Sequence, residues 1–113
     1  MANTFKIDTK SSVSNSGTGS SATNVVTAGG TATLVVLSIL IANKTAASAQ
    51  VDVFVNKNSG DDVFLIKNAP IPGGSSLEII SGSKIILESS DVLRINSNTA
   101  SALDAAVSYL EQT

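Results

Sequence analysis

The side chains that most often carry out catalysis or hold metals are scarce in this chain of 113 residues. It has no His and no Cys, which removes the commonest general base, the commonest transition-metal ligand and any thiolate site. Nine carboxylates remain, among them the adjacent pair Asp61 and Asp62 and the separated pair Glu78 and Glu88. Any chemistry would therefore rest on carboxylates or hydroxyl groups.

Neither carboxylate pair has the pattern of a dedicated site. Asp61 and Asp62 have the charge to hold a calcium ion, but their loop lacks the spaced oxygen ligands of a calcium site, and Asp is a preferred turn residue. Glu78 and Glu88 could flank a glycosidic bond only if the fold brought them together. The many serines have no His base to activate them. We therefore predict that the chain is not an enzyme and uses no metal or other cofactor.

The low charge of the chain narrows the choice of partners. Charged residues make up 14% of the sequence, and the net charge is −2. The basic residues are scattered, whereas nucleic-acid binding needs a basic patch that neutralises phosphates. No apolar segment approaches the roughly 20 residues of a membrane-spanning helix. We predict no nucleic-acid partner and no membrane partner. A surface this poor in charge is either covered by Ser, Thr, Asn and Gly or partly buried in an assembly.

The elements that would position these residues are organised around the apolar run Leu34–Ala42, which only Ser38 interrupts. Its β-branched residues predict a strand. Because apolar and polar residues do not alternate, the run predicts a central strand buried on both faces. One face would meet the core, and the other a second sheet, a loop or a partner chain.

Short alternating segments on either side of this run predict an all-β fold. Asn3–Lys10 alternates as an edge strand does, with Phe5 and Ile7 on one face and the charged residues Lys6 and Asp8 on the other, which we expect to be the outer face. Ser11–Ser21 is nearly all Ser, Gly, Thr and Asn, which predicts a loop or a flexible arm. Turn signals at roughly 8–12-residue spacing separate the later segments. We predict one domain over residues 1–113, a single antiparallel β-sandwich of jelly-roll type with eight or nine short strands, in which residues 1–21 form an edge strand and an arm.

Two later segments leave alternatives. Pro70–Gly74 indicates a rigid extended connection between strands or sheets, because proline cannot donate to a ladder. Ala100–Leu110 contains alanines that favour a helix, but the alternation from Leu103 to Glu111 favours a strand.

Several apolar residues are candidates for contact with a partner. Phe54 lies opposite the valines of its segment, so it is either a core residue of a strand buried on both faces or an anchor at a subunit contact. The full set of candidate interface residues is Phe5, Ile7, Leu34, Val36, Ile39, Ile41 and Phe54.

Four segments carry a resemblance to a known family. They are Val26-Thr27-Ala28-Gly29 before the apolar run, Pro70-Ile71-Pro72-Gly73-Gly74 with Leu77-Glu78, the stretch Ile85–Asp91, and Asp104 with Ser108-Tyr109-Leu110-Glu111. Over residues 22 to 113 this order of turns and strands resembles small β-sandwich structural proteins of tailed bacteriophages, especially marine phages and cyanophages. Thr27 and Ser90 stand where that family has a proline and a glycine.

The resemblance implies a virion protein that is assembled in the host cytoplasm. The leading prediction is a capsid decoration (cement) protein that binds the outer head surface and stabilises the shell. Its partners would be the major capsid protein or other virion proteins, and copies of itself in a dimer or trimer. Two alternatives stay open: a neck, tail or fibre component, and a carbohydrate-binding module that contacts the host surface, which the shortage of aromatic residues disfavours.

Overall fold

The computed structural model describes residues 3–13, 22–57, 60–80 and 85–113. Within these ranges the chain forms β-strands and no helix, which confirms the all-β prediction. The strands are β1 (Asn3–Lys10), β2 (Thr23–Thr27), β3 (Thr33–Asn43), β4 (Ala49–Asn56), β5 (Asp62–Ile71), β6 (Ser76–Glu78), β7 (Ile85–Leu87), β8 (Val92–Ser97) and β9 (Leu103–Gln112). Most of the predicted Ser/Gly-rich arm, residues 14–21, lies outside the described residues.

The strands pair in a nested order. In sheet I the order is β1-β9-β3-β6, with β7 also paired to β3, and in sheet II it is β2-β8-β4-β5. Around the β4–β5 hairpin, β3 pairs with β6 and β7, β2 pairs with β8, and β1 pairs with β9. Successive pairs alternate between the two sheets, which is the jelly-roll arrangement. The predicted β-sandwich is therefore confirmed, as are the edge position of β1 and the strand at the end of the chain.

The central strand β3 buries only one of its faces. Leu34, Val36, Ile39 and Ile41 point into the core and are at most 1% exposed. A register shift between Val36 and Ser38 keeps both halves of the apolar run facing inward. Residues on the opposite face are half-buried or exposed. The prediction that this run is buried on both faces is wrong, because continuous apolar sequence does not itself supply a second covering layer.

The strand that is buried on both faces is β4, although its sequence alternates. Every residue from Val51 to Asn56 is buried. The inward valines join the core between the sheets. On the outer face, the buried Asp52 carboxylate accepts a 2.7 Å hydrogen bond from the backbone N–H of Asn68. Asn56 donates to the Asp62 carboxylate at 2.9 Å. Buried polar groups need such partners, and the neighbouring strand β5 supplies them.

Strand β5 is longer than its apolar segment indicates. It continues through Pro70 to Ile71, so the predicted connection Pro70–Gly74 is wrong in its first two residues. Because β5 is the edge of sheet II, the missing N–H of Pro70 removes no ladder bond to a further strand. Only the residues after Ile71 cross to sheet I, with Gly74 at a positive φ of 73°.

The end of β3 is fixed by the buried side chain of Asn43. Its Nδ2 donates to the backbone oxygens of Ala47 at 2.8 Å and Ile71 at 2.9 Å. Its Oδ1 accepts from Thr45, through the backbone N–H at 3.0 Å and the hydroxyl at 2.7 Å. One amide thus joins the β3–β4 turn to the end of β5, which holds the two sheets together at this corner.

Candidate interaction surface

The outer face of sheet I carries a continuous row of apolar side chains. Residues opposite each other in an antiparallel pair lie on the same face. Phe5 is opposite Leu110, Leu110 is opposite Val35, and Val35 is opposite Ile86. We call these four residues the apolar stripe. It crosses β1, β9, β3 and β7 without a polar interruption.

The ends of the apolar stripe are open to solvent. Phe5 is 77% exposed and Ile86 is 49% exposed, while Val35 and Leu110 are half-buried between them. Two further apolar residues enlarge the same face: Ile7 is 60% exposed and Leu40 is 43% exposed. A contiguous exposed apolar patch of this kind is typical of an interaction site.

The rest of this face is nearly uncharged. Its strand positions beside the stripe hold small or hydroxyl side chains such as Ser38, Ser108 and Ala106. Among the described strand residues of the face, the charged ones are Asp104 and Glu78, both at the end away from the stripe. Asp104 pairs with Lys44 and accepts from the backbone N–H of Ser12, and these contacts lower the pKa of its carboxyl.

A groove of about 260 Å³ opens at the end of the face that carries Asp104. Thr9, Leu40, Ala42 and Ala106 line it. The two alanines are small beside Leu40 and leave a depression between β1, β9 and β3. The groove is mainly apolar, so it suits an apolar side chain of a partner better than a charged ligand.

The opposite side of β1 is anchored to β9 by polar contacts. Lys6 forms a 2.7 Å ion pair with Glu111, which raises the pKa of the lysine. The Tyr109 hydroxyl donates to the Asp8 carboxylate at 3.0 Å. Burial of the ring is the larger cause and this hydrogen bond the second, and together they raise the pKa of Tyr109 to about 12. These contacts position β1 so that Phe5 and Ile7 face outward. The prediction that the charged face of β1 is the outer one is wrong, because Lys6 and Asp8 find partners on β9.

The outer face of sheet II differs because its central phenylalanine is covered by a second one. Phe54 is fully buried beneath Phe64, with ring centroids 5.0 Å apart. The ammonium of Lys67 lies 4.5 Å from the centroid of the Phe64 ring, in a cation–π geometry. Phe54 is therefore a buried residue of a strand covered on both faces, and its side chain is not available to a partner.

The structure separates the remaining predicted interface residues into two groups. Leu34, Val36, Ile39 and Ile41 are in the core, where a partner of the folded chain cannot reach them. Phe5 and Ile7 lie together on the exposed face, and their contact with a partner stays a prediction. Sequence reasoning missed Val35, Leu40, Ile86 and Leu110. Val35 and Leu40 lie five residues apart in the same apolar run and share a face because of the register shift between Val36 and Ser38. Only the strand register joins all four residues into one face.

The carboxylate pairs do not converge. Glu78 lies on β6 opposite Leu40, and Glu88 follows β7, whose last residue is opposite Leu34. Six residues of β3 between these rows correspond to about 20 Å. Asp61 is exposed in a turn, and Asp62 accepts from Asn56.

The described residues contain no group of three or more His, Cys, Asp or Glu side chains arranged to hold a metal ion. No helix with the length and apolar character needed to cross a membrane occurs among them. The strongest surface feature of this part of the chain is the outer face of sheet I.

Comparison with known proteins does not add a family to these observations. The resemblance to phage structural proteins covers turns and strands whose positions the structure now gives. Neither a protein-family model nor a curated protein matches this sequence, so that resemblance stays a prediction.

Proposed function

We propose that this chain is a capsid decoration protein of a tailed bacteriophage, which binds the outer surface of the head and stabilises the shell. The observation that carries the proposal is the outer face of sheet I, which is almost uncharged and is crossed by the apolar stripe. A free protein gains nothing from exposing Phe5 and Ile86 in one row, whereas a partner surface that covers them removes apolar area from water.

The size of the face supports a protein partner. Four strands at about 4.8 Å spacing, with side chains at both margins, give a width of roughly 20 Å. The ten residues of β9 give a length of about 33 Å. The resulting footprint of roughly 660 Å² approaches the ~800 Å² that each partner contributes to a standard interface. Repeated copies on one shell would add avidity to such individual contacts.

The fold is compatible with this role without deciding it. Double-sheet jelly rolls occur in viral capsid proteins and also in lectins, and one fold serves many functions. The exposed apolar face is what favours a structural role over sugar binding. Among the described aromatic residues, Phe5 and Phe64 lie on different sheets and form no common stacking platform.

The first experiment is to measure the number of copies per particle. In virions of the phage that encodes the chain, quantitative mass spectrometry would compare its abundance with that of the major capsid protein. A ratio between one-to-one and one-to-a-few supports a decoration protein. A few copies per particle would instead place the chain in the neck, tail or fibres. Absence from virions would refute both structural roles, and glycan-dependent binding would then support the carbohydrate-binding alternative.

A second experiment tests the face itself. Purified protein would be sedimented with expanded shells lacking it, at near-physiological salt. We expect binding by the wild type and loss of binding on Ile86→Ser, which removes one exposed end of the apolar stripe. Val63→Ser is the matched control, because Val63 on β5 is 50% exposed and Ile86 is 49% exposed. Equal binding by the two variants would refute the assignment of this face.

A further inference from the structure

The four sheet edges of the described sandwich are not equally protected. Natural proteins block edge strands by making them short, bulged or proline-containing. At one edge of sheet II, β2 has five residues and a register shift, and at the other edge β5 contains Pro70 and two register shifts. One edge of sheet I consists of β6 and β7, with three residues each. The remaining edge, β1, has eight residues and pairs with β9 without any register shift.

The free side of β1 is accessible along its whole length. Seven of its residues are exposed and Asp8 is half-buried. Within the described residues its only ladder partner is β9, so its outer backbone N–H and C=O groups are unpaired in the ladder. A long, regular edge of this kind is a template for another strand.

We infer that two copies of this chain pair through β1, antiparallel, about a two-fold axis that passes through Ile7. Opposite residues must share a face, so the axis passes through a residue and not between two. With the axis at Ile7, Lys6 lies opposite the partner's Asp8, and Asp8 lies opposite the partner's Lys6. Ile7 lies opposite its own copy, and Phe5 lies opposite the partner's Thr9.

The charges of β1 select this register over its neighbours. An axis at Lys6 would place two lysines opposite each other. An axis at Asp8 would place two aspartates opposite each other, and it would also place Lys6 opposite the partner's Lys10. Like charges directly opposite destabilise a strand pair, and opposite charges stabilise it. Lys6 and Asp8 therefore disfavour pairing of β1 with unrelated strands, but they are complementary to the same residues of a second copy.

The internal contacts of β1 are compatible with this dimer. Lys6 is paired with Glu111 of its own chain, so its ammonium would lie between two carboxylates. The two-fold axis is perpendicular to the sheet and keeps both outer faces on the same side. Ile7 and Phe5 of each copy would then form one apolar cluster at the axis, which removes part of their exposed area from water. This inference does not rest on the proposed role in a capsid.

Cysteine cross-linking tests the register directly, because the native chain has no Cys. Cysteines introduced by I7C would be directly opposite, with Cβ atoms about 5 Å apart, so mild oxidation should yield a covalent dimer. Cysteines introduced by F5C would be offset by four residues, about 13 Å along the strand, and should not cross-link. A mixture of F5C and T9C should cross-link to each other. Equal cross-linking by I7C and F5C, or none by I7C, would overturn the inference.

Charge exchange gives an independent test in the absence of cross-linking. We expect wild-type protein to be dimeric by analytical ultracentrifugation. D8K and K6E should each be monomeric, because each places like charges opposite each other. An equimolar mixture of D8K and K6E restores complementary pairs and should give a one-to-one heterodimer, while D61K, in an exposed turn, should remain dimeric. A monomeric wild type, or folded D8K and K6E that do not associate when mixed, would refute the β1 interface.

Discussion

The ionisation of Tyr109 offers a quantitative test of how β1 is held on the sandwich. Its ring is 6% exposed, and its hydroxyl donates to Asp8. We expect Asp8→Asn to lower the pKa of Tyr109 from about 12, because the variant removes the negative charge that opposes tyrosinate formation. The pKa should stay above the ordinary value of 10.0, because burial of the ring is the larger cause of the shift and is unchanged.

The structure gives the size of the effect on stability. One pKa unit corresponds to about 1.4 kcal/mol, so the difference between about 12 and 10.0 corresponds to ~3 kcal/mol. The folded-state pKa is raised, so this contribution is fully present below pH 10, the ordinary value for tyrosine. It is lost as the pH rises from 10.0 towards about 12, where the folded protein also ionises. The free energy of unfolding should therefore fall over that interval.

The assay is selective because the chain contains one Tyr and no Trp. The ultraviolet absorbance of tyrosinate would be followed against pH for folded protein and for protein in denaturant, with circular dichroism confirming the folded state. Tyr109→Phe supplies the blank. A folded-state midpoint equal to that of the denatured chain would contradict the burial argument, and an unchanged midpoint in Asp8→Asn would contradict the coupling between β1 and β9.

Four further variants test the interior and the charged contacts. Asn43→Asp replaces two buried donors by an acceptor facing carbonyl oxygens, so denaturant unfolding should show a loss of about 3 kcal/mol or more; a loss below about 1 kcal/mol would contradict the role given to the amide. In the same assay, Phe54→Ala should lower the free energy of unfolding by ~3–5 kcal/mol, and Phe64→Ala should lower it by less, because Phe64 is 37% exposed. A larger loss for Phe64→Ala would refute the assignment of Phe54 as the more deeply buried ring. Asp104→Asn should be less stable than the wild type above pH 3.8 and converge with it as the pH falls through the lowered folded-state pKa; a difference independent of acid pH would argue against the Lys44 contact.

Local sequence pattern was sufficient to predict the strands and the edge position of β1. The alternation of Phe5 and Ile7 with charged residues predicted an edge strand but placed its charged face outward, whereas Phe5 and Ile7 are the residues that face solvent. The alternation after Leu103 outweighed the helix preference of its alanines. The structure confirms β1 and β9 as strands. Both could be predicted because alternation along the chain is the pattern of an extended backbone, whose successive side chains point to opposite faces.

What covers each face could not be predicted in this way. The run containing Leu34 and Leu40 is apolar throughout, yet Leu34 is buried and Leu40 is 43% exposed. The segment containing Asp52 alternates, yet hydrogen bonds from β5 allow the carboxylate to be buried. The apolar stripe joins residues as distant in sequence as Phe5 and Leu110, and only the register of the pairs brings them into one row.

The nested strand pairing also has a consequence for folding. The β4–β5 hairpin closes a short loop, whereas the β1–β9 ladder joins Asn3 to Gln112. Closing a longer loop loses more chain entropy, and non-local pairing slows folding. We therefore expect the inner pairs to form first and β1 to associate last. In native-state hydrogen exchange the amides of β1 should open at a lower free energy than those of β4, so the strand available for pairing with a second copy is also the first to detach.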